Sequence, residues 1–320
     1  MVLTIPPALV LWLKNNLTLL VLIALVLAVG LYDRTFFSAS NLLTVFADTM
    51  TLFLMASGVT LVIMMGGIDL SIQSVASMAS CILAVYLQRF GYGAVVFALI
   101  GGMLAGLAGG LVSTLLRIPS FIATLAVSGV VTTAAYYFSD SHSVNIPANL
   151  RDSYLSWAVG TAASLPNEIW VGLVFLAILT AILNYTPFGR LVRAIGHQER
   201  TVIASGLNAD RQKLIAYTLS GAMAGLAGVV MAARLGSGSP TLANEFLLPA
   251  VACIIVGGTA VTGGVGSIWR TFLGALIIQV VRIGMTFVGI SVFAQQIVFG
   301  LILVAAVAIT MDRSKVTVIK

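Results

Sequence analysis

Charged residues are scarce in this sequence: lysine, arginine, aspartate and glutamate make up 8% of 320 residues, whereas 60% are hydrophobic. In soluble domains, about a quarter of the residues are charged. The scarcity of charge therefore excludes a soluble fold. The useful measure of this chain is the number of apolar stretches of about 20 residues, since each can cross a bilayer.

Cysteine and histidine are also rare, with two of each. Cys81 and Cys253 lie in apolar runs without metal-ligand or redox spacing and are interpreted as small buried hydrophobic residues. His142 and His197 have no HExxH, nucleophile elbow or paired acidic motif beside them, so neither an enzyme nor a metal site is expected.

There is no GxxxxGK[ST] sequence, so any ATP that powers this protein must bind another subunit. No basic run is interleaved with aromatics, so nucleic acid is not an expected partner.

What the sequence does contain is a series of ten apolar runs. They predict an all-α fold, a polytopic membrane bundle of about ten transmembrane helices forming a single transmembrane domain over 1–320. For the first run a spanning helix is favoured over a cleaved signal ending near Ala28-Val29-Gly30. The runs are 17–31, 42–65, 72–87, 92–116, 121–138, 169–185, 214–234, 248–262, 271–288 and 294–311.

Lysine and arginine predict the orientation of these spans. Ten spans place both termini on one side, and if that side is the cytoplasm, eleven of the sixteen basic residues lie inside, as the positive-inside rule requires. The polar stretch 186–213 is then a cytoplasmic loop, and 139–168 is the longest external loop. The inside set is Lys14, Arg117, Arg190, Arg193, Arg200, Arg211, Lys213, Arg270, Arg313, Lys315 and Lys320.

Two glycine-rich breaks interrupt the pattern of spans, GGIDLS at 66–71 and GGTAVTGGVG at 257–266. Each follows an apolar run and leads into another, so two interpretations stand: an internal duplication with matching broken helices, typical of transport pathways, or two simple turns. Asp69 would be costly in lipid and is expected to cap the next helix or to serve as a gate or substrate contact. The candidate broken-helix or gate residues are Gly66, Gly67, Asp69, Ser71, Gly257 and Gly258.

Small residues recur at four-residue spacing in GGMLAGLAGG, around Gly102 and Gly106, and in SGAMAGLAGV, around Gly221 and Gly225. Such faces let helices approach closely in lipid. A structural role in packing is predicted for both.

The stretch Thr186–Lys213 holds seven of the 26 charged residues. Pro187 and Gly189 end the preceding helix, Gly196 is expected to separate two segments, and the second segment stops at Gly206. The second segment predicts a short polar helix with one apolar side, which suits docking into the groove of a partner protein. The alternative is an interfacial helix resting on anionic lipid.

Four segments together resemble the permease subunit of ribose- and xylose-type ATP-binding cassette importers, and the likeness covers nearly the whole chain. They are TLVIMMGGIDLS at 60–71, IPSFIATL at 118–125, GRLVRAIGHQERTVIASGL at 189–207 and IIVGGTAVTGGVGSI at 254–268. Their order and spacing make the match specific. The departures are Ile72-Gln73 after GGIDLS, Gln198 in place of a common asparagine, and Thr201-Val202 in place of an alanine pair.

The resemblance implies an inner-membrane protein that works beside a second permease, identical or homologous. Two ATPase subunits would hold ATP and Mg²⁺, an extracytoplasmic binding protein would deliver the solute, and this chain would hold no cofactor. The segment matching the family's coupling helix, which docks into the ATPase, is 196–207. The expected coupling residues are Gly196 and Gly206 at its ends, Glu199 and Arg200 as polar contacts, Val202 and Ile203 as apolar anchors, and Ser205.

The predicted function is ATP-driven import of a monosaccharide by alternating access. Three alternatives are an importer of nucleosides or a furanosyl signalling molecule, an ion-coupled secondary carrier, and a membrane interaction module without a pathway. Substrate-binding residues cannot be assigned, because Gln279, Gln295, Gln296, Tyr136 and Tyr137 near the spans are of types that any helix bundle contains.

Overall fold

The computed structural model describes residues 7–310, with side chains for 16–308. Lys14, Arg313, Lys315 and Lys320, which contribute to the predicted charge asymmetry, have side chains outside this part. Within it the chain forms thirteen α-helices and four two-residue strands. The helices are α1 (Pro7–Tyr32), α2 (Ala39–Met64), α3 (Ile72–Phe90), α4 (Tyr92–Leu115), α5 (Ser120–Phe138), α6 (Ala148–Tyr154), α7 (Ser156–Val159), α8 (Asn167–Tyr185), α9 (Pro187–Ala204), α10 (Ala209–Leu235), α11 (Leu247–Val256), α12 (Ile268–Phe287) and α13 (Val292–Thr310).

The helical membrane fold is as predicted, since each of the ten apolar runs overlaps a helix in the described part of the chain. In the described part of the chain, six helices are long and apolar enough by themselves to cross a membrane: α2, α4, α5, α8, α10 and α12. The eighth predicted span, 248–262, is wrong in length. α11 covers ten residues, or about 15 Å at 1.5 Å per residue, roughly half of a 30 Å hydrocarbon core.

α10 lies at the centre of the bundle and packs against α2, α3 and α4. The two predicted small-residue faces meet here, because a Cβ added to Gly221 would collide with the backbone of Gly102 and Gly106. The α4 and α10 backbones therefore touch without intervening side chains. This contact confirms the packing role expected for both glycine stripes.

The predicted external loop is more ordered than its composition suggested. It contains α6, α7 and three strands: β1 (Val144–Asn145), β2 (Thr161–Ala162) and β3 (Leu165–Pro166). β2 and β3 form a hairpin, and β1 pairs antiparallel with β4 (Ser237–Gly238), which follows α10. The loops after α5 and α10 are thus held together at one end of the bundle.

Candidate coupling and gating site

Two glycine breaks and the polar stretch, which are far apart in sequence, meet at one place. The Gly264 amide donates to the Met64 carbonyl at 2.8 Å. A Cβ on Gly263 would lie 2.8 Å from the Gly66 nitrogen and 3.1 Å from the Gly196 Cα. We call this contact of residues 64–67, 196–197 and 263–264 the glycine junction. It joins the end of α2, the middle of α9 and the loop between α11 and α12 by backbone contacts.

Gly196 has a different role from the predicted one. The chain stays helical through Gly196, and the single non-helical residue inside α9 is Gln198, at φ −159° and ψ 86°. A Cβ at Gly196 would collide with the Met64 carbonyl oxygen and the Gly264 nitrogen. Glycine is therefore required at this position for close approach of three backbones, and the kink that separates the two parts of α9 lies two residues later.

Both glycine breaks end their helices with the same local geometry. At the end of α2 the Gly66 and Gly67 amides donate to the Ile63 and Val62 carbonyls. At the end of α11 the Gly258 and Thr259 amides donate to the Ile255 and Ile254 carbonyls. Gly66 and Gly258 have φ of +80° and +87°. This is the Schellman cap, in which glycine is favoured because a side chain would be strained at positive φ. The shared cap explains the similar outline of the two sequences.

The other glycine of each pair, Gly67 in the first break and Gly257 in the second, allows close packing. A Cβ at Gly67 would lie 2.7 Å from the Tyr217 hydroxyl of α10, and one at Gly257 would lie 2.5 Å from the Arg270 carbonyl of α12. Each pair thus combines one glycine that turns the chain with one that admits a neighbouring helix.

The segment between α2 and α3 is held by hydroxyl groups from other helices. Ser120 accepts from the Ile68 amide at 2.9 Å, and Thr124 accepts from the Leu70 amide at 3.0 Å. Both hydroxyls are in the first two turns of α5. The sequence did not indicate this role, although both residues belong to the segment IPSFIATL, whose hydroxyls near a helix start were the available signal.

Asp69 is 1% exposed and is enclosed by protein. Its Oδ1 accepts from the Ser71 amide at 3.0 Å and the Ser71 hydroxyl at 2.7 Å, and its Oδ2 accepts from the Ser220 hydroxyl of α10 at 2.7 Å. Ser71 precedes the first residue of α3, so the carboxylate holds the chain at the approach to that helix. It also ties the first glycine break to α10.

The second part of α9 presents a mixed surface. Ile203 is 56% exposed, and Arg200 and Ser205 are exposed as well. Val202 is 6% exposed and packs inward, so the expectation that it anchors a partner is corrected. Glu199 pairs with Lys213 of α10 at 2.5 Å. Gly206, at φ +78°, closes this helix with a third Schellman cap, as expected from its place after the periodic stretch.

Comparison with known proteins gives the class of protein to which this arrangement belongs. Residues 41–307 match the family model described as the permease component of branched-chain amino acid transport systems. The chain belongs to this family, and it is therefore a membrane permease component and not a catalytic subunit.

Individual relatives confirm the resemblance seen in the sequence. The ribose import permease of Escherichia coli K12 is 32% identical over 302 residues, 93% of this chain and 94% of the relative. The ribose import permease of Bacillus subtilis is 31% identical over 297 residues, 92% of this chain and 91% of the relative. The L-arabinose permease of E. coli K12 is 36% identical over 206 residues, 64% and 61% of the two chains.

Proposed function

We propose that this chain is the transmembrane permease subunit of an ATP-driven importer that carries a monosaccharide. The relatives named as ribose and L-arabinose permeases support the cargo class. We further propose that both termini face the cytoplasm and that two ATPase subunits, a second permease and an extracytoplasmic binding protein complete the assembly. ATP and Mg²⁺ would bind the ATPases.

The observation that supports this proposal most strongly is the contact of α9 with the other two segments of the glycine junction. An ATPase bound to the exposed residues of α9 would pull on a helix whose Gly196 touches the backbones of both breaks. Backbone contacts contain no flexible side chains that could absorb a displacement, and packed interfaces switch between discrete arrangements. A movement of α9 would therefore shift α2 and the loop after α11 together.

Within this proposal the coupling residues divide by exposure. Ile203, Arg200 and Ser205 would contact the ATPase, while Val202 and the Glu199–Lys213 pair hold the second part of α9 on the bundle. Gly206 ends that helix.

Replacing Ile203 with aspartate tests the docking surface. Burying an exposed isoleucine side chain in a groove stabilises an interface by about 1.5–3 kcal/mol, and a loss of about 2 kcal/mol corresponds to roughly thirtyfold weaker association. We expect Ile203→Asp to co-purify poorly with the ATPase and to lose ATP-driven uptake of ribose, while its size-exclusion profile stays unchanged.

Ile203→Val is the matched control, because it keeps an apolar side chain at the same place. It should retain both co-purification and uptake. If Ile203→Asp associates and transports as the wild type does, α9 does not dock into the ATPase. If the assembled wild type carries a nucleoside but no pentose, the cargo assignment is wrong and the architecture stands.

A further inference from the structure

Ionisable residues cluster at the end of the bundle away from the glycine junction. Asp48 lies nine residues into α2, about 14 Å from its start, while Glu168 begins α8, Arg234 ends α10 and Arg282 lies in the last third of α12. An aspartate or arginine at the centre of a membrane helix costs about 2.5–3.5 kcal/mol. Charged residues inside a membrane therefore either line a solute pathway or stabilise the fold.

Three of these side chains, Asp48, Arg234 and Arg282, have oppositely charged partners. Asp48 forms an ion pair with Arg234 and accepts from Gln279 Nε2 at 3.0 Å. Arg282 lies 4.0 Å from Glu245, and its guanidinium carbon is 5.0 Å from the centre of the Phe246 ring. Because Asp48, Arg234 and Arg282 each have an opposite partner, these three charges do not select for a charged ligand.

Asp48, Arg234 and Arg282 line a cavity of about 340 Å³, which we call the Thr51 cavity. This volume lies in the range of small-molecule sites, about 300–1,000 Å³. Its wall combines carboxylate, guanidinium, amide and hydroxyl groups with one aromatic ring: Asp48, Arg234, Arg282, Gln279, Thr51 and Phe246.

Thr51 gives an independent indication that a ligand binds here. It is 6% exposed, and its hydroxyl oxygen has no hydrogen-bond partner in the described part of the chain. Other buried threonines of α2 donate to the carbonyl four residues earlier, as Thr49 does to Val45 at 2.7 Å. A buried hydroxyl left unpaired costs about 1–3 kcal/mol, so a polar group supplied by a ligand would be stabilising.

A second cavity of about 410 Å³ lies between Arg234 and the loop after α5. It is lined by Arg151, Asp152 and Ser156 of that loop, by Glu168, and again by Arg234. Arg234 thus lies between the two cavities.

We infer that the Thr51 cavity binds a neutral, polyhydroxylated solute within a single permease, with Arg234 at the boundary to the loop-side cavity. Paired carboxylate, guanidinium and amide groups can donate to and accept from neighbouring hydroxyls of such a ligand, and the Phe246 ring offers an apolar face to its C–H groups. This inference rests on the proposed function, because it takes the transported sugar to be the ligand.

The test uses single cysteines in the complete transporter, reconstituted with its ATPase and binding protein. Both native cysteines, Cys81 and Cys253, are fully buried. We would introduce Thr51→Cys and, as the matched control, Thr180→Cys, because Thr180 also has a buried, unpaired hydroxyl but does not line the Thr51 cavity. A small, water-soluble methanethiosulfonate is added with ribose, or with an equal concentration of glycine betaine as the osmotic control.

We expect the reagent to modify Thr51→Cys and ribose to slow that reaction. The slowing should be about fivefold at a ribose concentration about four times its dissociation constant. Glycine betaine should have no effect, and Thr180→Cys should show no protection by ribose. An unreactive Thr51→Cys, or equal rates with and without ribose, would overturn the inference.

A second pair of variants removes the hydroxyl without adding a thiol. Thr51→Val should lower ribose uptake, whereas Thr180→Val should leave uptake unchanged. Equal uptake by both valine variants would also overturn the site. Normal ribose uptake by the wild type without protection at Thr51→Cys would reject the site alone, whereas no sugar uptake by the wild type would reject the proposed function.

Discussion

Gly196→Ala is expected to lower ATP-driven uptake by at least about tenfold. The added methyl group would collide with the Met64 carbonyl and the Gly264 amide, and neither backbone group can rotate away. Overpacking of a core costs about 1–3 kcal/mol, and about 1.4 kcal/mol imposed on the transport cycle is a factor of ten in rate. Uptake into proteoliposomes, with equal amounts of reconstituted protein, measures the effect.

Gly129→Ala is the matched control for this experiment. Gly129 lies inside α5, and a Cβ there would have no atom within 4 Å. Alanine in a helix interior is favoured over glycine by about 1 kcal/mol, so this variant should be as stable as the wild type and fully active. If Gly196→Ala transports as well as Gly129→Ala does, contact across the glycine junction is not needed for coupling.

Asp69→Ala is also expected to have a large effect, in this case on the stability of the fold. Its removal would leave the Ser71 amide and the Ser71 and Ser220 hydroxyls without their acceptor in a buried place. Each unsatisfied buried group costs about 1–3 kcal/mol. We expect a lower midpoint of thermal unfolding in detergent and, as a result, little active transporter in membranes.

Asp69→Asn distinguishes a capping role of Asp69 from a gating role that requires its negative charge. The asparagine oxygen can accept from both Ser71 groups, and its amide can donate to the Ser220 hydroxyl. We propose that Asp69 is structural, and Asp69→Asn should then keep most of the stability and uptake. A stable Asp69→Asn protein without uptake would show that the carboxylate charge takes part in gating.

The sequence predicted most of the fold because long apolar runs in lipid have few alternatives to helices. It failed at α11, where hydrophobicity continues past Gly257 but the Schellman cap has already ended the helix. Hydropathy measures the preference for lipid and does not report a backbone turn. The glycine pair at 257–258 was the signal for the shorter helix.

The candidate site was only partly predictable. Its component segments, 66–71, 196–207 and 257–266, could be found from local composition, since glycine pairs and a charged stretch stand out in an apolar chain. Their meeting at the glycine junction depends on how α2, α9 and α11 pack together, which local patterns do not contain. For the same reason the sequence predicts that Gly196 separates two segments, whereas a close tertiary contact is what requires glycine there.

Exposure was the other property that the pattern did not determine. Val202 and Ile203 are adjacent and apolar, yet the first packs inward and the second faces solvent. The direction depends on the kink at Gln198, which rotates the second part of α9 relative to the first. A helical wheel drawn through the whole of 187–204 does not include that rotation.

The energy source for transport distinguishes an ATP-driven importer from an ion-coupled carrier. Proteoliposomes containing this permease, its ATPase and the binding protein would be given labelled ribose, with ATP at the ATPase side or with a sodium or proton gradient and no ATP. We expect uptake that requires ATP and is lost in Ile203→Asp. Uptake by the permease alone, driven by an ion gradient, would contradict it.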